Sequence, residues 1–228
     1  MGAALGWGAL AASSLVIGAL LGVLRPWPTA LVGAVLAFGA GALISAVSFD
    51  LVEEGSRLGD PGTVGIGLAI GALTYFGLDR IVDRPGSSSG GTALALGAFL
   101  DGIPEQMVLG IGLATGEGVS VGLLVAIFVS NLPEAIGSAT DMQAAGRNPA
   151  VIRRLWIAVA VICTLATVGG YALADSASDN LRAIINGFAA GALLVMLIDS
   201  MIPEASKKTG RPAGLLTVLG FAVAFALS

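Results

Sequence analysis

The sequence is built from long apolar runs separated by short polar segments, and several runs exceed the roughly 18 residues that indicate a membrane span. Hydrophobic residues make up 56% of the chain and charged residues 11%, whereas soluble proteins average about 25% charged residues. The 34 glycines fit helices that approach one another closely in a membrane. These features predict an all-α integral membrane protein in which residues 1–228 form a single polytopic membrane domain.

Charged residues, prolines and a Gly-Ser segment divide the chain into eight predicted helices. The segment from Met1 has no basic region before its apolar part, so we interpret it as a first span and not as a signal peptide. The predicted ranges are about Ala3–Leu24, Thr29–Glu54, Gly62–Val82, Gly90–Gly116, Gly118–Ala145, Ala150–Ala174, Leu181–Ser206 and Pro212–Leu227.

Basic residues are concentrated in the odd-numbered connections between these helices. Only Arg57 and Arg182 lie in even-numbered connections. The other nine are Arg25, Arg80, Arg84, Arg147, Arg153, Arg154, Lys207, Lys208 and Arg211. Because short cytoplasmic loops are enriched in Lys and Arg, this bias predicts a multi-pass protein of the plasma membrane with both termini outside the cytoplasm.

An internal similarity links the second and seventh predicted helices. The segment FGAGAL (38–43) matches FAAGAL (188–193). The two helices are expected to cross the membrane in opposite directions, so the copies would be inverted, as in many secondary transporters. The alternative is that the similarity reflects only the Gly- and Ala-rich composition.

Two related motifs, DGIPE (101–105) and SNLPE (130–134), interrupt the apolar runs of the fourth and fifth predicted helices. A carboxylate at the bilayer centre costs at least about 2.5–3.5 kcal/mol and is functional by default. The proline before each glutamate removes a helical hydrogen bond and frees a carbonyl oxygen at similar depth. Carboxylates and free carbonyls at one level predict a cation site.

The spacing of the polar residues supports one shared site. Asp101 and Glu105 are four residues apart, and Asn131 and Glu134 are three apart, so each pair lies on one helix face. Two neighbouring glutamates would repel each other unless a cation or protons lay between them. The alternative is that some of these acids are protonated and only cap a carbonyl. The candidate ligands are Asp101, Glu105, Asn131 and Glu134, with weaker support for Gln106 and Ser130.

Further acidic residues mark an expected cation route on either side of this site. Asp50, Glu53 and Glu54 lie at the outer end of the second predicted helix, and Asp199 and Glu204 at the inner end of the seventh. The alternative for Glu53, Glu54 and Glu204 is that they are ordinary interfacial charges.

The chain contains no histidine and one cysteine, Cys163. This excludes His-ligated metal chemistry and a disulfide within the chain. We expect Cys163 to be a small core residue. Glycine pairs at 18/22, 67/71 and 112/116 predict packing seams between helices.

Taken together, the two Pro-Glu motifs make the chain resemble the ZIP (Zrt-/Irt-like protein) family of divalent metal transporters over essentially its whole length. The family motifs HNxPEG and HExPEG correspond here to DGIPEQ (101–106) and SNLPEA (130–135), and residues 189–205 resemble the family's helix 7. The resemblance implies eight transmembrane helices, with helices 1–3 inverted onto helices 6–8 around a central helix 4–5 pair. It also implies that Glu105 and Glu134 are ligands that can bridge two metals.

The departures from the family pattern concern the other ligands. By position, Asp101 and Ser130 replace the two family histidines, and Gly102 and Asn131 replace the next ligands. Gly102 supplies no side chain for the second metal position that family members often have. The remaining all-oxygen site suits Mn²⁺ or Fe²⁺, and zinc also accepts carboxylate ligands.

The expected function is therefore transport of a divalent cation of the zinc, iron or manganese class into the cytoplasm. We expect no enzyme activity and no cofactor, because the metal ion is the substrate. The expected partners are the metal cation, the lipid bilayer and a second copy in a homodimer, without nucleic acid. The alternatives are a regulatory member that binds metal without transporting it and a proton-coupled carrier of another solute. An intramembrane aspartyl protease using Asp101 and Asp199 lacks the YD and GxGD contexts.

Overall fold

The computed structural model describes the backbone of residues 1–82, 91–114 and 120–227, and the side chains of these residues except for 82–101. The described chain folds into eight helices without strands. They are α1 (Gly2–Leu24), α2 (Thr29–Leu58), α3 (Pro61–Val82), α4 (Gly91–Ala114), α5 (Val121–Ala144), α6 (Pro149–Asp175), α7 (Asp179–Thr209) and α8 (Ala213–Leu227).

All eight predicted helices are confirmed, and α2 and α7 are both longer than predicted. Each of these two helices continues through a π-helical segment, Val47–Glu53 in α2 and Leu197–Met201 in α7. Each then continues about one turn beyond its predicted end, where a glutamate pairs with a basic residue four positions later. π-helical segments are rare and are frequently found at functional sites, so the two helices that carry the internal similarity also share an unusual backbone feature.

The outer surface is that of a membrane protein. Among the described residues, six helices are long and apolar enough to cross a membrane, and α8 is a shorter apolar helix. Large apolar side chains such as Leu73, Leu215 and Val218 are exposed, which in water would be costly but in lipid is not. The chain is thus a multi-pass membrane protein.

Four parallel helix pairs form the bundle, and glycines set their close contacts. In α1, Gly18 and Gly22 lie against Leu132 and Ile136 of α5. In α2, Gly41 lies against Thr217 of α8. The remaining contacts join Gly67 and Gly71 of α3 to Ile184 and Phe188 of α7, and Gly102 and Gly110 of α4 to Cys163 and Thr167 of α6.

These pairings follow the predicted inversion of helices 1–3 onto helices 6–8. Exchanging the two halves converts the α1–α5 pair into α6–α4 and the α2–α8 pair into α7–α3, and all four pairs are present. The seams predicted at 18/22 and 67/71 are confirmed. Gly112 instead lines a cavity, so the seam prediction is wrong there, and Gly116 lies outside the described residues.

The two ends of the bundle differ in charge. The α1–α2, α5–α6 and α7–α8 connections lie at one end of the bundle, the basic end, and the α2–α3 and α6–α7 connections lie at the opposite, acidic end. The described part of the chain begins and finishes at the acidic end. The interior is filled by small and aliphatic side chains, and α2 crosses α5 closely where Gly39 meets the backbone of Ser130.

Replacing Gly41 by valine should destabilise the protein strongly, because a Cβ at this position would overlap the backbone carbonyl oxygen of Thr217. Overpacking of this kind typically costs about 1–3 kcal/mol, and more where backbone has to move. Gly65→Val is the matched control, since a Cβ there meets nothing within 4 Å. Thermal unfolding in detergent measures both. An equal loss of stability in the two variants would contradict the packing described above.

Candidate metal-binding site

The two Pro-Glu motifs lie within continuous helices. Pro104 is inside α4 and Pro133 is inside α5, and neither proline ends its helix. Each proline lacks the N–H that would bond the carbonyl four residues earlier. Both glutamates therefore follow a helical position with a missing backbone hydrogen bond.

The structure brings Glu105 of α4 and Ser130 of α5 together. Glu105 is only 1% exposed, and the Ser130 hydroxyl lies 3.1 Å from its Oε1 and 3.4 Å from its Oε2. The same hydroxyl lies 3.0 Å from the Ile127 carbonyl oxygen. Because a hydroxyl donates one proton, Ser130 can turn between the carboxylate and this carbonyl, leaving an oxygen lone pair for a cation.

Asn131 is the second unusual group of α5. It is fully buried, and neither its Oδ1 nor its Nδ2 has a hydrogen-bond partner among the described residues. A buried polar atom without a partner costs about 1–3 kcal/mol, and such a group needs an explanation. Glu134 follows one turn later and is half-buried. Both Glu105 and Glu134 lie within electrostatic range of the Cys163 thiol in α6.

Gln106 faces α6 and not α5. The Thr167 hydroxyl donates to its Oε1 at 2.7 Å, and its Nε2 has no partner among the described residues. Successive helix positions are about 100° apart, so residues 105 and 106 point in different directions. Gln106 thus joins α4 to α6 through its hydrogen bond with Thr167.

Asp101 lies in α4 one turn before Glu105, but its side chain lies outside the described residues. Its neighbour Gly102 approaches α6 so closely that a Cβ would lie 2.8 Å from Cys163 Sγ. Cys163 is buried in the core between helices, as expected. Its close approach to Gly102 of the DGIPE motif was not expected.

Within the described side chains, no three Asp, Glu or Cys residues are grouped closely enough to hold a metal ion. Any metal site here must therefore also use neutral oxygens such as those of Ser130, Asn131 and backbone carbonyls, or the undescribed Asp101 side chain. Hard divalent cations bind such mixed carboxylate, carbonyl and hydroxyl sets.

The acidic residues expected on the outer side line one cavity. It has a volume of about 440 Å³, and Asp50, Glu53 and Glu54 of α2 form one wall. Asn186 of α7 lines the same cavity. No sequence motif pointed to Asn186, although a single amide in an otherwise apolar helix segment is itself a signal.

The acidic residues expected on the inner side lie at the basic end. Asp199 is exposed on the π-helical segment of α7. Glu204 pairs with Lys208, with 2.5 Å between Oε1 and Nζ. The Lys208 side chain is 19% exposed, and its Nζ lies 3.0 Å from where a Cβ of Gly137 would be. A cationic side chain thus lies over α5 one turn beyond Glu134.

Similarity to a known protein supports the resemblance that the two Pro-Glu motifs indicated. No family model matches the chain. A protein of Arabidopsis thaliana named "Putative zinc transporter" is 30% identical over 181 residues, which is 74% of this chain and 29% of the plant protein. The chain therefore spans less than a third of the length of that relative. This similarity to a protein named as a zinc transporter bears out the resemblance to the ZIP family that the Pro-Glu motifs of α4 and α5 indicated.

Proposed function

We propose that this protein carries a divalent metal cation across a membrane through a site between α4 and α5. Glu105 and Glu134 supply the charge, Ser130 and Asn131 supply neutral oxygens, and Asp101 completes the set. Gln106 positions α4 against α6 by its bond with Thr167. The protein acts as a carrier and not as an enzyme, and the metal ion is its substrate.

The observation that carries the proposal is the meeting of two buried polar groups inside an apolar bundle. Glu105 is 1% exposed and lies beside Ser130, and the next residue of α5, Asn131, has an unpartnered buried amide. Burying such groups is expensive in a membrane. A cation that binds carboxylate, hydroxyl and amide oxygens would offset this cost.

The charge distribution supports a direction of movement. The cavity with Asp50, Glu53 and Glu54 would attract cations at the acidic end, while Lys208 covers α5 beyond Glu134 at the basic end. The positive-inside bias predicts that the basic end faces the cytoplasm. A cation would therefore enter from outside the cell through the plasma membrane, and Lys208 would have to move for its release.

The oxygen ligands of the proposed site favour a class of metal ions. Imidazole is absent from the chain, and oxygen ligands suit Mn²⁺ and Fe²⁺, while zinc also accepts carboxylates. The Arabidopsis thaliana relative is named "Putative zinc transporter". We therefore propose a carrier for small divalent cations that discriminates weakly between zinc and the harder ions.

The test is uptake by the purified protein in proteoliposomes. We expect saturable entry of Mn²⁺, with Zn²⁺, Fe²⁺, Co²⁺ and Cd²⁺ competing at comparable concentrations. Elemental analysis of the purified protein gives the bound ion independently. Metal binding without uptake above protein-free vesicles would contradict the carrier function and favour a regulatory protein that only binds metal.

A further inference from the structure

The cavity at the acidic end is built from five helices. Its wall includes Asp50 and Glu54 from α2, Ser120 at the start of α5 and Asn186 from α7, and it continues to α4 and α8. Leu109, one turn beyond Glu105 in α4, also lines it. The cavity therefore reaches to within about one helical turn of Glu105 along α4.

Asn186 of α7 is a buried amide with an unpaired oxygen within the described part of the chain. It is 1% exposed, and its Oδ1 has no hydrogen-bond partner among the described residues. Gly55 of α2 makes room for it, because a Cβ at Gly55 would lie 3.3 Å from the Asn186 Cβ. Asn186 thus lines the same cavity as Glu54, and its buried acceptor oxygen has no partner among the described residues.

The carboxylates of α2 give the cavity its charge. Asp50 and Glu54 are four residues apart and lie on one face of the helix. Ser120 caps the start of α5, and its hydroxyl lies 3.5 Å from Asp50 Oδ2. At the exposed rim, Arg57 lies 2.6 Å from Glu53 and 3.7 Å from Glu54. Among these groups Asp50 therefore has only the long contact with the Ser120 hydroxyl. Arg57 is shared by Glu53 and Glu54.

The size of the cavity indicates which form of a cation it would accept. No three carboxylates of the described residues are close enough to hold a bare ion. A divalent ion with six waters occupies about 180 Å³, at about 30 Å³ for each water. The cavity, at about 440 Å³, is large enough for this complex, whose water protons would be donated to carboxylate and amide oxygens.

We propose that this cavity is a second cation-binding site that takes a hydrated divalent cation through Asp50, Glu54 and the Asn186 amide oxygen. Its binding is weaker than that of the central site, because the ion keeps its waters. Its role as the entry site rests on the proposed carrier function, whereas the binding itself does not. Arg57 competes with the cation for Glu53 and Glu54.

The experiment measures Mn²⁺ binding to the full chain in lipid nanodiscs by electron paramagnetic resonance, together with uptake kinetics in proteoliposomes. We expect a tight and a weak class of bound Mn²⁺ in the wild type. Asp50→Asn and Asn186→Leu should each weaken the weak class about tenfold, the size expected for losing one hydrogen bond to a charged group. Both should raise the KM for uptake and leave the tight class unchanged. Asn180→Leu, an exposed amide of the same helix, is the matched control and should leave binding and uptake at wild-type values.

Arg57→Gln adds a change in the opposite direction at an exposed position where folding is not at risk. It should tighten the weak class, because Glu53 and Glu54 become available. A weak class that is unaffected by Asp50→Asn and Asn186→Leu would overturn the proposal, as would an Arg57→Gln variant that binds more weakly. Glu105→Gln distinguishes the two sites, because it should weaken the tight class only. If these variants change the weak class as expected but the wild type shows no uptake, the second binding site is supported and the carrier function is overturned.

Discussion

Replacing Glu105 or Glu134 by glutamine should lower the affinity of the central site for Mn²⁺ or Zn²⁺ by at least about 100-fold, or about 2.8 kcal/mol. The double variant should lose tight binding completely. Glutamine keeps the size of the side chain and an oxygen that accepts the Ser130 hydrogen bond. The loss therefore reports the missing negative charge and not a collapsed site. Equilibrium binding to the purified protein measures it.

Asp141→Asn is the matched control for this pair. It removes one carboxylate from α5 at an exposed position near the basic end, and binding should stay at the wild-type value. Thermal unfolding checks that all variants are folded. Tight binding that survives in the Glu105→Gln/Glu134→Gln variant would mean that the metal lies elsewhere.

The double replacement Asp101→His with Ser130→His should change the metal preference. By position these residues replace the two family histidines, and neutral imidazole favours zinc and cadmium over harder ions. Ser130 lies beside Glu105, so an imidazole there would adjoin a retained ligand. We expect the ratio of zinc to manganese affinity to rise about tenfold, which corresponds to about 1.4 kcal/mol. Competition binding with the two metals measures this ratio.

Ser130→Ala separates the two possible causes of such a change. It removes the hydroxyl without adding a ligand, so it should weaken both metals and leave their ratio nearly constant. A wild-type protein that already prefers zinc and cadmium as strongly as the double histidine variant would disprove the selectivity argument, although not the proposed transport.

Most of the fold could be predicted from the sequence, because a helix that spans a lipid bilayer needs about 20 apolar residues and therefore leaves a clear pattern. The similarity of 38–43 to 188–193 also matches the observed pairing of α2 with α8 and of α7 with α3. The ends of α2 and α7 were less accessible. Hydropathy marks where the apolar run stops, whereas the Glu53–Arg57 and Glu204–Lys208 pairs extend each helix beyond it.

The candidate site was accessible only in part. The sequence pattern predicted that Glu105 and Glu134 lie inside neighbouring helices, as they do, but side-chain direction depends on how the helices rotate against one another. Spacing alone did not separate Ser130, which meets Glu105, from Gln106, which bonds Thr167. Asn186 belongs to no motif, and its importance follows only from the cavity that α7 shares with α2.

The most direct measurement is the initial rate of metal entry into proteoliposomes that contain equal amounts of wild-type protein or the Glu105→Gln/Glu134→Gln variant. An intravesicular metal-sensitive dye reports entry, and protein-free vesicles give the leak rate. We predict rapid, saturable entry with the wild type and a rate equal to the leak with the variant. Equal rates of entry with the two proteins, or a wild-type rate no greater than the leak, would contradict transport through a carboxylate site between α4 and α5.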